Sequence, residues 1–392
     1  MGVFISKRRL RYMTASVTIL MGLSFAVYLT ARSPGYQVES GFPRMVYVPG
    51  YSKGPAVTAD SAVLIDEESG AILYAKNEHI RRAPASTTKI VTALLAIEYG
   101  KMNETVTVSP RAASVGGTSI WLRPGDKLML AEMVKGVLMR SGNDGSAAIA
   151  EHLAGSEREF AVIMTAKARE MGALNTQFRN AHGLKAVGHF STAYDLAALA
   201  RNAMQNKIFA SLVSTRESQL SWEEKEQVRV LRNTNRLLWT LDGADGIKTG
   251  TTSQAGKCLV ASATRGNRRL IAVVLHSDDR WGDAARLLEY GFQSFSLCWG
   301  ARAGQTVAAV PVKGGSVSEL KLVPRTALCV PVRSDGSDSV QRVLEIPEQI
   351  KAPIRKGAAI GRVSLMSGDT ELYSVDLVAA HAVKRHFLWW NW

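Results

Sequence analysis

The chain has 392 residues, 46% of them hydrophobic, and carries 48 Lys and Arg against 34 Asp and Glu, a formal charge of +14. That length and apolar content exclude a disordered chain and leave room for a large core and two domains. The positive balance implies an anionic partner, and nucleic acid fits worst, because the middle of the chain lacks zinc-ligand clusters, RNA-binding signatures and basic-aromatic interleaving.

Lys7, Arg8, Arg9 and Arg11 precede an uncharged stretch from Tyr12 to Ala31, closed by Arg32-Ser33-Pro34-Gly35. About 20 apolar residues can span a bilayer. Ser24-Phe25-Ala26 also offers a small-x-small cleavage pattern, so residues 1–35 are expected to be a signal peptide or a signal-anchor. Residues 36–60, rich in Gly, Pro and Ser, read as a linker. Ala62 to Asp66, a turn through Ser69-Gly70, and Ala71 to Ala75 predict an antiparallel hairpin.

Next comes Arg82-Ala83-Pro84-Ala85-Ser86-Thr87-Thr88-Lys89, where an apolar helical run begins. Residues three apart share a helix face, with Cβ atoms about 5–6 Å apart, so a Lys89 amine can reach the Ser86 hydroxyl. Pro84 suits the first helical position, which would leave Ser86 in the opening turn, where free amides favour an oxyanion. Many helices show Ser-x-x-Lys by chance, so the spacing needs support from elsewhere.

From Ile90 to about Met204 the pattern is mostly helical, clearest over Ala131–Met139, Gly145–Leu153 and Glu157–Met171. Strand character returns in Cys258–Ala263 and Arg269–Leu275, and a helix follows from Asp283 to Phe295. Hairpin, helical block, strands and helix make an α+β order in which early and late strands share one antiparallel sheet. From Ala301 to about Val378, short β-rich runs alternate with Gly, Asp, Ser and Pro turns, predicting a small all-β domain. The tail ends in three tryptophans and Phe387 behind Lys384 and Arg385; as a helix it would put Val383, Phe387 and Trp390 on one face, suited to an interfacial membrane contact. The expected divisions are thus 1–35, 36–60, 61–297, 298–380 and 381–392. Cys258, Cys298 and Cys329 are too few and scattered for a disulfide framework, and no Cys/His spacing suggests a metal.

Ser141-Gly142-Asn143 falls between two predicted helices, and Lys248-Thr249-Gly250 leads into a strand. In the order Ser-x-x-Lys, Ser-x-Asn, Lys-Thr-Gly, the chain resembles the penicillin-binding proteins and class A β-lactamases. Within that group it is most similar to the low-molecular-mass serine D-alanyl-D-alanine carboxypeptidases. The similarity runs through Arg81–Ala93, Leu138–Ala148, Gly172–Leu184, Phe190–Ala200, Asp245–Ala263 and Arg280–Phe292, roughly Ala62 to Phe295.

The resemblance implies a β-lactamase/DD-peptidase-like α+β domain followed by a small all-β domain, acting without a cofactor. It implies Ser86 as acylated nucleophile, Lys89 as its base and Ser141 as proton relay to the leaving amine. Asn143 would bind the substrate's acyl amide, and the strand Lys248, Thr249, Gly250 would hold the extended peptide. The amides of Ser86 and Thr251 would form the oxyanion hole, with Thr249 and Arg280 on the terminal carboxylate. A lysine charged at pH 7 must be neutralised to act as base, a cost of about 4–5 kcal/mol; burial and the Lys248 cation would supply it. The implied partners are peptidoglycan stem peptides, β-lactams as acylating mimics and the membrane surface, with no nucleic acid.

Thr251 departs from the aromatic residue or histidine often found there in relatives. His182 and Asp195 invite a Ser/His/Asp triad, but no Gly-x-Ser-x-Gly elbow surrounds Ser86. A class A β-lactamase would need Glu-x-x-Leu-Asn; Glu170-Met171-Gly172-Ala173-Leu174-Asn175 has one residue too many. The same fold would also suit a DD-endopeptidase or a non-catalytic wall scaffold.

Overall fold

A computed structural model describes residues 45–47, 54–223 and 225–386. Its central sheet has six strands: β1 (Val46–Tyr47), β2 (Ser61–Asp66), β3 (Ala71–Lys76), β4 (Ala244–Thr252), β5 (Gly256–Arg265) and β6 (Arg268–Ser277). They lie in the order β1-β3-β2-β6-β5-β4, so strands from both ends of the domain meet at β2 and β6. That pair is antiparallel, with Val63 opposite Val273 and Ile65 opposite Ile271. Only the short β1 runs parallel to its neighbour.

Strand side chains alternate between faces, and here both faces are covered. Val63, Ile65, Val260, Ile271 and Val273 pack on the helical block, while Leu64, Leu259, Leu270, Ala272 and Val274 pack on Ala284, Leu287 and Leu288. Burial on both sides explains why β5 and β6 read as continuous apolar runs. The helical block between β3 and β4 contains α1 (Lys89–Tyr99), α2 (Leu130–Met139), α3 (Asn143–Ala154), α4 (Glu157–Glu170), α5 (Ala193–Met204) and α6 (Lys207–Ser214). α7 (Arg280–Ser294) covers the opposite face. Beyond it, Phe295–Ala301 pairs with Leu328–Arg333, and a second six-stranded sheet is built over residues 308–379. Its core of Val310, Leu320, Leu322, Val363, Leu365 and Leu377 is separate from the other two clusters.

Three expectations are corrected. Residues 54–60, assigned to the linker, belong to the folded unit: Val57 and Ala59 are buried, and Asp283 of α7 accepts hydrogen bonds from Thr58 N at 2.9 Å, Thr58 Oγ1 at 2.7 Å and Ala59 N at 2.9 Å. Gly/Pro/Ser composition does not record that a buried carboxylate needs donors. Val383 is not on a tail helix. It is buried and bridges Ile354 through backbone bonds of 2.8 and 2.9 Å, as an extended segment of the β-rich unit. The helical stretch is also interrupted by a ribbon, Thr105–Thr107 with Lys127–Met129, and a hairpin follows α6, Glu217–Trp222 with Lys225–Arg232.

The N-terminal segment of residues 1–35 and the tryptophans of the tail lie outside the described residues. Among the described residues no helix is long and apolar enough to cross a membrane, and no His/Cys/Asp/Glu cluster could hold a metal. All three cysteines are free thiols, with Cys258 buried in β5.

Candidate active site

Ser86 lies in a 3-10 turn, Ala85–Thr88, that runs directly into α1, with Pro84 as its cap. The expectation of an α-helical opening turn is thereby modified. Ala85 adopts φ +48, and Thr87 Oγ1 donates to Pro84 O at 2.7 Å, so the chain turns sharply just ahead of the serine. A non-glycine residue in this region is uncommon and marks strain held by its surroundings.

Lys89, first residue of α1, has a side chain that is 0% exposed. Its Nζ lies 3.0 Å from Ser86 Oγ, 2.7 Å from Asn143 Oδ1 and 2.6 Å from the His182 carbonyl. Burial, then the charge of Lys248, hold its pKa well below the ordinary lysine value, against the opposing pull of Asp144 and Glu157. Lys248 is itself buried; burial, then Arg280, bring it down to about 7.

The Ser-Gly-Asn turn joins α2 to α3. Ser141 is 5% exposed with φ +69, and Asn143 opens α3. Asn143 is held on both ends of its amide: besides accepting from Lys89, it donates through Nδ2 to Gly116 O at 2.6 Å. The structure therefore gives Asn143 a role in holding Lys89 and the 116–119 loop, in addition to the substrate contact expected for it. Asp144 fixes the rest of that loop, accepting from Ser119 Oγ at 2.5 Å and from Ile120 N and Leu122 N.

Among the described residues β4 is the last strand of its sheet, bonded to β5 on one side only. Its Lys248-Thr249-Gly250-Thr251 stretch passes close over the serine: a Cβ on Gly250 would stand 3.0 Å from Ser86 N and 3.0 Å from Ala85 Cβ. An edge strand offers unpaired N–H and C=O groups for an added extended peptide. Thr249 Oγ1 lies 2.9 Å from Thr234 Oγ1, in the segment that follows the 217–232 hairpin. Arg280, first residue of α7, donates from Nη1 to Gly250 O at 2.9 Å and Thr251 Oγ1 at 2.7 Å, and stacks on Trp281. The structure thus brings Ser86, Lys89, Asn143, Lys248, Gly250, Thr251 and Arg280 into one contiguous set, with Thr249 beside them and Ser141 in the turn leading to Asn143.

His182 and Asp195 do not form a triad with Ser86. The His182 ring faces Glu157, with Nε2 3.0 Å from Oε1; only its backbone carbonyl reaches the site. Asp195 accepts from Asn175 N at 2.7 Å and Thr176 Oγ1 at 2.6 Å. Glu170, at the end of α4, lines a cavity of about 510 Å³ with His79, Tyr194 and Arg201, apart from the serine.

Sequence reasoning missed the layer behind Lys89. Gly183 has φ +88, and a Cβ there would meet Ala85 O at 1.9 Å, so only glycine lets the 181–184 turn pass under the serine. Asn180-x-x-Gly183 is a legible turn signal, and Asn180 Oδ1 does accept from Gly183 N at 2.7 Å. Glu157, following the capping Ser156, reads merely as a first-turn acid.

A buried lysine bonded to a serine hydroxyl, beside a second buried lysine and a free sheet edge, defines a serine acyl-transfer enzyme of the α+β kind. The family model described as D-alanyl-D-alanine carboxypeptidase matches residues 50–279, and that for the C-terminal domain of penicillin-binding protein 5 matches residues 300–385. The D-alanyl-D-alanine carboxypeptidase DacF of Bacillus subtilis is 39% identical over 331 residues, 82% of this chain and 85% of the relative. DacC of Escherichia coli is 33% identical over 348 residues, 85% and 86% of the two chains. The crystal structure of penicillin binding protein 5 from Haemophilus influenzae superposes with a TM-score of 0.75 at 30% identity, covering 85% of this chain and 99% of that one. The chain belongs to the D-alanyl-D-alanine carboxypeptidase family of serine hydrolases, which act in cell-wall metabolism.

Proposed function

We propose that Ser86 attacks the carbonyl between the two terminal D-alanines of a peptidoglycan stem peptide, with Lys89 removing its proton. The observation that carries this is the Lys89 Nζ to Ser86 Oγ contact of 3.0 Å inside a fully buried environment. Burial and Lys248 supply the neutral amine such a base needs. The peptide adds to the free edge of β4 along Lys248, Thr249 and Gly250, and its carbonyl oxygen sits between the amides of Ser86 and Thr251 as it becomes an oxyanion. Ser141 passes a proton to the departing D-alanine, and water then releases the acyl-enzyme. Arg280 and Thr249 meet the terminal carboxylate; Arg280 is pinned through Nη1, and its Nη2 donors have no protein partner among the described residues. β-Lactams acylate the same serine.

Anionic wall polymer and the net charge of +14 are consistent with work on the outer face of the cytoplasmic membrane. The basic-apolar N-terminal segment supports export, and the Trp-rich tail supports attachment to the membrane surface. The test is release of D-alanine from diacyl-Lys-D-Ala-D-Ala and labelling by a fluorescent penicillin. Both should occur with the wild type and vanish in Ser86→Ala; labelling of that variant would refute the assignment. Digestion of purified muropeptides, read by mass, separates carboxypeptidase from endopeptidase products.

A further inference from the structure

Behind Lys89 stands a buried pair that the reaction as described does not use. Glu157, the first residue of α4, and His182, in the turn before α5, are 8% and 6% exposed. Glu157 Oε1 lies 3.0 Å from His182 Nε2 and accepts from Ala181 N at 3.0 Å. Leu184 N donates to His182 Nδ1 at 3.1 Å, which leaves Nε2 as the protonated ring nitrogen, donating to Glu157. The carboxylate therefore grips the 181–184 turn at a backbone amide and at a ring. The carbonyl of His182 in that turn receives Lys89 Nζ at 2.6 Å.

A neutral amine has two N–H bonds and one lone pair. Two of the three groups around Lys89 Nζ, Asn143 Oδ1 and the His182 carbonyl, accept hydrogen bonds and donate none. Once both N–H bonds are committed to them, the lone pair is left for the third neighbour, the Ser86 hydroxyl at 3.0 Å. That is the orientation in which the amine takes the serine proton. If the His182 carbonyl moves, an N–H can turn toward Ser86 and the base is misdirected, although lysine and serine are both present.

We propose that Glu157 and His182 are positioning residues for the base: the Glu157 carboxylate fixes the His182 carbonyl, and that carbonyl orients the lone pair of Lys89 toward Ser86. The inference rests on Ser86 and Lys89 being nucleophile and base. The charged and titratable groups facing Lys89 are Lys248 from β4, Asp144 from α3, Glu157 from α4, and His182 and His189 from the loop before α5. Glu157 also meets Arg111 at 3.2 Å. The Glu157 charge favours the protonated form of Lys89, so it aligns the base while opposing its neutrality. Position and charge can therefore be separated by substitution.

The experiment measures the second-order rate of acylation by a fluorescent penicillin from pH 5 to 9 for the full chain, Glu157→Gln and Glu157→Ala, with circular dichroism and thermal midpoints as fold controls. Gln keeps an acceptor for His182 Nε2–H and Ala181 N–H but removes the charge. Its plateau rate should stay close to wild type while the acid limb moves to lower pH. Ala removes the grip, and its plateau should fall by about ten- to a hundredfold, as for a misplaced reacting group. A folded Glu157→Ala that acylates like wild type overturns the proposal, and so does a Glu157→Gln as slow as Ala or with an unmoved acid limb. If Glu157→Ala does not fold, the rate and acid limb of Glu157→Gln decide by the same criteria. Failure of the wild type to label, or labelling of Ser86→Ala, instead overturns the nucleophile assignment itself.

Discussion

Replacing Lys248 by Met should make the protein more stable while sharply lowering its rate of acylation. The side chain is 1% exposed, and burial, then Arg280, lower its pKa from 10.5 to about 7. The folded value lies below the unfolded one, so the unfolded chain binds a proton that the folded chain does not. Stability therefore rises with pH across the window from about 7 to 10.5 and is reduced below it. Integrated over that shift, the lysine costs about 4 kcal/mol at pH 7 but only about 1 kcal/mol at pH 9.5. Met fills a similar volume without a charge, and forfeits the bond from Lys248 Nζ to Thr249 O at 3.1 Å, worth about 1 kcal/mol. Lys248→Met should then gain about 3 kcal/mol at pH 7 and almost nothing at pH 9.5. Urea unfolding at both pH values, following the transition of the unit built on the central sheet, measures the gain. A variant no more stable than wild type at pH 7, or a gain that is the same at pH 9.5, would refute the reasoning.

Gly183→Ala should abolish penicillin labelling, because its Cβ would meet Ala85 O at 1.9 Å from a φ of +88 and push the serine turn away; normal labelling would show that the turn tolerates the shift. Asp283→Ala should destabilise the larger unit by about 2–4 kcal/mol, since Thr58 and Ala59 lose acceptors for their amides and Ser277 Oγ loses a 2.6 Å bond; unfolding midpoints check it. Burial raises the Asp283 pKa, but bonds from Ser277 and Thr58 outweigh it and leave the group below 3.8, so this stability is present above that value and lost as pH falls through the lower, folded one. An acid-unfolding midpoint that is the same in Asp283→Asn and wild type would contradict the assignment. Removing Lys248 should also move the acid limb of acylation upward, because that cation helps lower the pKa of Lys89; residual labelling of Lys248→Met as a function of pH tests this.

How much of this was legible in the sequence follows from the range of the interactions. The hairpin Ala62–Ala75 and the strands around Val260 and Val273 were readable because apolar residues run between turn residues, and the helices because of their period. The three motifs were readable as a set, since each keeps its chemistry within a few residues. The linker assignment failed at Thr58 because its partner, Asp283, is 225 residues away and composition carries no trace of it. The hairpin that follows α6 was missed for a related reason. Its strands, Glu217–Trp222 and Lys225–Arg232, mix polar and apolar residues, and among the described side chains they bury Leu220, Trp222 and Leu231, a weak pattern for any reading.

The same distance argument explains why Lys89 was anticipated as buried while its surroundings were not. That a Ser-x-x-Lys base must be neutral follows from chemistry, and a second lysine in the third motif supplies a cation. That its N–H bonds go to Asn143 and to a backbone carbonyl does not follow, because a carbonyl has no residue identity to recognise. The carbonyl is placed by Gly183, which lets the turn approach Ala85, and by Glu157, which anchors the turn from another helix. Three of the four groups that decide the direction of the Lys89 lone pair thus lie outside the three motifs: the His182 carbonyl, Gly183 and Glu157. A protein can keep Ser86, Lys89, Ser141 and Lys248 intact and still acylate about ten- to a hundredfold more slowly when Glu157 alone becomes Ala, and in such a variant the motifs would give no warning.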